Sequence, residues 1–363
     1  MFSEAEIKTK LNLLAESFSS VLYEEDETFL KNMEKNNLAG DDIAKYRFWE
    51  WTQGVGLFGF WKLFKETGNR QYLDILIKYY DRQMEVGFPA KNVNTVTPLL
   101  AMCLVGEHEN RRDYLEVCDE WARWIYESFP RTREGGFQHI TSDTLNDSEL
   151  WDDTLYMTVL FLALYGVMTK NDDYIEEATY QFLLHIKYLT DRKTGLWFHG
   201  WSFNEKGNFA EALWGRGNCW ITMAIPEFLS LVKIGGADKR FLTQALLRQA
   251  EALKEFQSDS GMWHTLVDDP TSYVESSATC GFAYGLLKSV NMGLLPEEYR
   301  AVAMKALEPI MGYINDKGVV EQVSYGTPMG RKTKDFYKEI PIKSMPYGQA
   351  LAMLFLMEAE GKE

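Results

Sequence analysis

Three features of the 363-residue sequence predict an all-α fold, an (α/α)6 barrel or six-hairpin toroid with short β-hairpins in the loops at one mouth. A polar phrase ending in an aromatic residue recurs along the chain, and apolar segments alternate with amphipathic ones. The length also exceeds an ordinary domain of about 100–200 residues. A closed ring of six outer and six inner helices would use residues 1–363 as a single domain, where the alternative is two domains.

The elements follow in order. An amphipathic helix is expected over residues 4–22. The phrase then reads Asn69-Arg70-Gln71-Tyr72-Leu73, Arg112-Asp113-Tyr114-Leu115, Asp172-Asp173-Tyr174-Ile175, Asp238-Lys239-Arg240-Phe241-Leu242 and Glu297-Glu298-Tyr299. Each copy opens an amphipathic helix. After Asp238, for example, Phe241, Leu242, Ala245, Leu246, Leu253 and Phe256 share one stripe, with Lys239, Arg248, Glu251 and Lys254 off it. Between these helices lie segments 53–64, 94–104, 151–168, 214–232, 276–287 and 346–357. They are apolar on nearly every side and fall short of a membrane span or are interrupted by polar residues, so they are expected to be helices buried in the protein.

A solenoid of stacked helix pairs is the competing architecture. However, the aromatic of the phrase advances by 42, 60, 67 and 58 residues from Tyr72 to Tyr299, too unevenly for a tight repeat. Such spacing implies long loops on one face, where function usually sits. Those loops also rhyme, as Gly135-Gly136-Phe137-Gln138-His139, Gly195-Leu196-Trp197-Phe198-His199-Gly200, Gly261-Met262-Trp263-His264 and, more weakly, Lys317-Gly318-Val319-Val320-Glu321-Gln322. A glycine followed by alternating apolar residues reads as a short strand or hairpin.

The 53 acidic and 38 basic side chains give a net charge of -15, without a Lys/Arg cluster. Nucleic acid and anionic membranes are therefore excluded as partners, since both require a basic face. The N-terminus lacks a secretory signal and no window reaches the roughly 18 apolar residues of a membrane span, so a soluble, cytoplasmic protein is expected, as a monomer or homodimer. Cys103, Cys118, Cys219 and Cys280 lie far apart without C-x-x-C spacing and read as buried free thiols.

Several residues suit chemistry. Trp151-Asp152-Asp153-Thr154-Leu155-Tyr156-Met157 opens the third inner helix with two carboxylates ahead of an apolar run. One of them can cap the helix. Asp153 shares a face with Met157, and a carboxyl aimed into an aromatic hollow has its pKa raised and can act as a general acid near neutral pH. His139, His199 and His264 end the rhyming strands. His139 or His199 is expected to touch a ligand, and the sharper alternative is a zinc site built from all three, although no H-E-x-x-H motif occurs. In Trp214-Gly215-Arg216-Gly217-Asn218-Cys219-Trp220, glycines flank a guanidinium that is expected to be uncovered beside Trp214 and Trp220. Flat aromatic faces and a bidentate guanidinium suit an acidic sugar.

With Trp49-Glu50-Trp51-Thr52-Gln53-Gly54-Val55-Gly56, His199-Gly200-Trp201 and Met345-Pro346-Tyr347-Gly348-Gln349-Ala350, these motifs resemble the unsaturated glucuronyl and rhamnogalacturonyl hydrolases of glycoside hydrolase family 105, with family 88 more distant. The resemblance covers most of the chain. It implies removal of a 4,5-unsaturated uronate from the non-reducing end of a small acidic oligosaccharide left by a polysaccharide lyase, such as a rhamnogalacturonan fragment. The C4=C5 double bond is hydrated, with neither metal nor nucleotide cofactor. Asp153 is implied as the catalytic carboxyl, and Trp51, Asn94, His139, Met157, His199, Trp214, Arg216 and Trp220 as sugar-pocket residues.

One departure stands out. Where better-known members carry a second aspartate, this chain has Asn94, which hydrogen-bonds but cannot share a proton, leaving Asp153 alone or assisted by Asp152 or Glu275. The competing functions are a sugar epimerase using two facing histidines, an inverting glycosidase using Asp153 with Glu275, and a non-catalytic binder of acidic oligosaccharides.

Overall fold

The computed structural model describes residues 2–360 and arranges them as two concentric layers of helices. The inner layer comprises α3 (Trp51–Thr67), the broken pair α5 (Val93–Val96) and α6 (Leu99–His108), α8 (Leu160–Thr169), α10 (Gly215–Leu231), α12 (Ser276–Asn291) and α15 (Pro346–Ala359). Each packs against the next, and α15 packs back on α3, which closes the ring. Around it stand α1 (Glu4–Val21), α4 (Arg70–Val86), α7 (Arg112–Ser128), α9 (Asp172–Leu189), α11 (Gly236–Phe256) and the split helix α13 (Glu298–Lys305) and α14 (Leu307–Tyr313). This is the (α/α)6 barrel that the alternating segments predict. A helix without counterpart in the repeat, α2 (Glu27–Asn36), lies outside the six pairs.

The breaks have local causes. Pro98 has no N–H to donate and separates α5 from α6. The third inner helix begins with a π-helical turn, Leu155–Val159, before α8; such turns are frequent at functional sites. Pro309 similarly removes a donor close to the junction of α13 and α14.

The rhyming loops are mostly single-bridge hairpins rather than strands: Arg131 pairs with Phe137, Thr190 with Trp197 and Ile314 with Val320. Gly135, Gly195 and Gly318 turn them at φ of 79°, 83° and 71°, a left-handed backbone that only glycine adopts freely. The one regular sheet among the described residues pairs β1 (Glu149–Trp151) with β2 (Gly200–Ser202), antiparallel. All four cysteines are free and buried. No described helix is long and apolar enough to cross a membrane.

Candidate active site

The N-terminal ends of five inner segments, together with the loops above them, surround a cavity of about 720 Å³, within the range of small-molecule sites. Asp153, Trp51, Asn94, His139, Met157, Trp214, Arg216 and Trp220 all line it. Trp51 stacks on Tyr347 at 4.7 Å and meets Trp220 edge-on at 6.0 Å, and Trp220 in turn lies 5.1 Å from Tyr156, forming a broad aromatic floor. Asn94 sits on α5, which is tied to the π-turn by bonds from Thr158 Oγ1 to the Val93 carbonyl at 3.1 Å and from Thr97 Oγ1 to the Met157 carbonyl at 3.2 Å. Its side-chain amide makes no hydrogen bond among the described residues.

Asp153 follows directly on the Asp152 carboxyl and precedes the π-turn, where its carbonyl accepts from the Tyr156 and Met157 amides at 3.0 and 2.9 Å. Its Oδ1 is buried without a hydrogen bond in the chain. Burial pushes the group up to about 7, against the opposing pull of backbone amides and of Arg216. His139 stacks on Trp151 at 4.2 Å, with Nδ1 2.8 Å from Thr154 Oγ1 and 3.3 Å from Asp153 Oδ1. Burial pushes His139 down to about 3, so this contact joins a neutral imidazole to a carboxyl and is not an ion pair at neutral pH.

Asp152 is fully buried, and both its oxygens lack partners. Burial first, and the neighbouring Asp153 second, raise it well above the carboxylate range. Gly217 makes room for it, since a Cβ there would lie 2.2 Å from Asp152 Oδ2 and 2.7 Å from the Trp214 ring. Gly217→Ala is therefore expected to cost about 1–3 kcal/mol and to slow turnover by displacing Trp214 and the Asp152–Asp153 turn. Thermal unfolding and initial rates check this, and wild-type values in both would refute it.

Three sequence expectations need correction. His199 is absent from the cavity wall: it packs 4.3 Å from Trp214 and 5.0 Å from Trp151, and its Nδ1 meets Tyr337 Oη at 2.6 Å. Its rhyme with His139 is real, but the Trp214 and Trp151 rings, both on the cavity wall, pack against it. The guanidinium of Arg216 is not uncovered. It is 1% exposed, with Nη1 on the Ser324 carbonyl at 2.9 Å and Nη2 on the Tyr325 carbonyl at 3.0 Å and Thr327 Oγ1 at 2.9 Å. The flanking glycines serve close packing instead, as a Cβ at Gly215 would meet the His264 carbonyl at 2.8 Å.

Glu275, finally, does not reach the cavity. It caps α12, accepting from Ala278 N at 2.6 Å, and also accepts from Ser324 N at 2.8 Å. It is therefore unavailable as the partner of Asp153. His264 turns to the Ser272 carbonyl at 2.5 Å, so the three histidines do not converge, and no three His, Cys, Asp or Glu side chains come together as a metal cage among the described residues. Sequence reasoning missed Glu50, a buried carboxyl on the cavity wall, and the mouth residues Asp26, Phe29 and Arg47. A carboxylate inside an apolar run at Trp49-Glu50-Trp51 was the available signal.

The sequence profile described as Glycosyl Hydrolase Family 88 matches residues 23–362. With a helical toroid whose aromatic cavity holds the half-buried Asp153 carboxyl, this defines a glycoside hydrolase. The unsaturated rhamnogalacturonyl hydrolase YesR of Bacillus subtilis is 32% identical over 328 residues, covering 88% of this chain and 93% of that protein. A crystal structure from Klebsiella pneumoniae, described as a possible member of the GH105 family, has 43% identity and a TM-score of 0.92 over 99% of this chain and 94% of its own. A Salmonella enterica structure described in the same words has 42% identity and a TM-score of 0.90 over 99% and 95%. The chain belongs to the glycoside hydrolases of families 88 and 105.

Proposed function

We propose that this enzyme removes a 4,5-unsaturated uronate from the non-reducing end of lyase-generated acidic oligosaccharides by hydrating the C4=C5 double bond. Asp153 carries the reading: a half-buried carboxyl, pushed up to about 7, open to an aromatic cavity beside a neutral imidazole. A group that is half protonated near neutral pH can both give and take a proton. The protonated carboxyl delivers its proton to C4, and the resulting carboxylate takes a proton from the water that adds at C5. Hydration leaves a hemiketal at C5. Ring opening converts C5 to a ketone, and the hemiacetal left at C1 expels the neighbouring sugar with its oxygen.

Trp51 and Trp220 offer faces for the sugar ring, and Asn94 a free amide for a hydroxyl. Arg216 acts by charge rather than by a free fork, because its Nη atoms already hold residues 324–327. The name of the Bacillus relative supports rhamnogalacturonan fragments as the substrate. Incubation with rhamnogalacturonan lyase digests is expected to remove the ultraviolet absorbance of the conjugated double bond. Unchanged absorbance across rhamnogalacturonan, pectin and glycosaminoglycan digests would sink the proposal.

A further inference from the structure

Glu50 has no part in the steps above, yet its placement is specific. It is 6% exposed, lies on the cavity wall, and forms no ion pair among the described residues. Burial pushes it up to about 8, opposed by its bonds from Ser142 and the Trp51 amide. A serine or threonine would cap α3 without the cost of burying a carboxyl, so capping alone does not explain the residue.

Its bonds link three segments. Ser142 Oγ donates to Glu50 Oε1 at 3.0 Å, and Asn92 Nδ2 donates to Ser142 Oγ at 2.9 Å. Asn92 Oδ1 caps α5 by accepting from Asn94 N at 2.9 Å and Thr95 N at 3.1 Å. Two more bonds close the triangle: Trp49 Nε1 to the Thr95 carbonyl at 2.8 Å, and Val93 N to the Ile140 carbonyl at 3.1 Å. The start of α3, α5 and residues 139–146 are therefore each bonded to the other two. They carry Trp51, Asn94 and His139, three walls of the cavity.

We propose that Glu50 is a positioning residue for the hydration reaction: through Ser142 and Asn92, its carboxyl holds these three segments in register around the sugar. This rests on the unsaturated-uronate reading. Weakening contacts that hold substrate and transition state alike, as wall residues remote from the reacting atoms do, raises KM and leaves kcat nearly unchanged.

The test compares Glu50→Ala, Glu50→Gln, Ser142→Ala and the double alanine variant, using the unsaturated disaccharide from a rhamnogalacturonan lyase digest. Glu50→Ala is expected to lower kcat/KM about tenfold, mostly through KM. Glu50→Gln, which keeps an acceptor for Ser142, recovers most of that loss. Ser142→Ala reproduces it, and the double variant is no worse than Glu50→Ala, since both break one network. A Glu50→Ala variant with native near-ultraviolet circular dichroism and kcat/KM within twofold of wild type overturns the proposal, as do multiplicative losses in the double variant. If Glu50→Ala does not fold, Ser142→Ala alone decides by the same KM criterion. If wild type shows no turnover, the reaction reading fails separately. Binding of the disaccharide, followed by tryptophan fluorescence, then decides on Glu50: weaker binding in the alanine variant with recovery in Glu50→Gln supports positioning, and equal affinities overturn it.

Discussion

Asp153→Asn is expected to lower kcat by about 10³-fold or more, because an amide can neither protonate C4 nor accept the proton of the attacking water. Stability should move the other way. In the folded protein Asp153 holds its proton up to about 7, against an ordinary value of 3.8. Between those values the folded state binds more protons than the unfolded one, so ionisation of Asp153 opposes folding as pH rises. Removing the charge is expected to raise Tm by a few degrees at pH 8 and to leave it nearly unchanged at pH 3. Loss of activity in a protein that melts no lower than wild type separates chemistry from unfolding. The wild-type rate should also fall as pH climbs through about 7 and the acid form disappears. More than a tenth of wild-type turnover in Asp153→Asn would remove Asp153 from the mechanism.

Glu227→Gln is expected to cost about 3–5 kcal/mol at pH 7, by removing the buried carboxylate that two ammonium groups of the ring share and leaving them only the more distant charge of Glu358. Glu227, 1% exposed on α10, lies 2.9 Å from Lys62 Nζ of α3 and 3.2 Å from Lys288 Nζ of α12, and Tyr284 donates to it as well. These residues stand towards the C-terminal ends of their helices, away from the cavity. Burial works against the Glu227 charge, yet Lys288 and Lys62 hold it down to about 2. Burial also pushes Lys62 down, while Lys288, opposed by its own burial, is raised by Glu227. A depressed carboxyl stabilises the fold fully above its ordinary value of 4.5, and that contribution fades as pH falls through about 2. The deficit of Glu227→Gln should therefore be largest at neutral pH and shrink between pH 4 and 2. Denaturant unfolding at pH 7 and pH 3 checks this, and a deficit below about 1 kcal/mol at pH 7 would refute it.

The helical architecture was legible because its signals are local. Apolar runs that are buried on every side, and the polar phrase that opens each outer helix, are set by neighbours a turn or two apart in sequence. The left-handed glycines of the rhyming loops, such as Gly135 and Gly195, belong to the same class. Asp153 could be read for a related reason: two carboxylates ahead of an apolar helix conflict with local burial, and such conflicts concentrate at functional sites.

Which polar atoms remain free to meet a sugar was decided only in three dimensions. Arg216 looks uncovered between two glycines, but its Nη1 is taken by Ser324, 108 residues away. His199 resembles His139 in its loop, but Tyr337, 138 residues away, engages its Nδ1, and Trp214 packs against its ring. Glu50 gains its place from Ser142, 92 residues distant, and Glu227 from lysines on two other inner helices. Periodicity records which side of a helix is buried, whereas hydrogen-bond saturation depends on partners that only closure of the ring brings within 3 Å. The six-pair barrel and its carboxyl were thus written in local pattern, and the free and occupied donors of the cavity were settled by contacts between segments far apart in the chain.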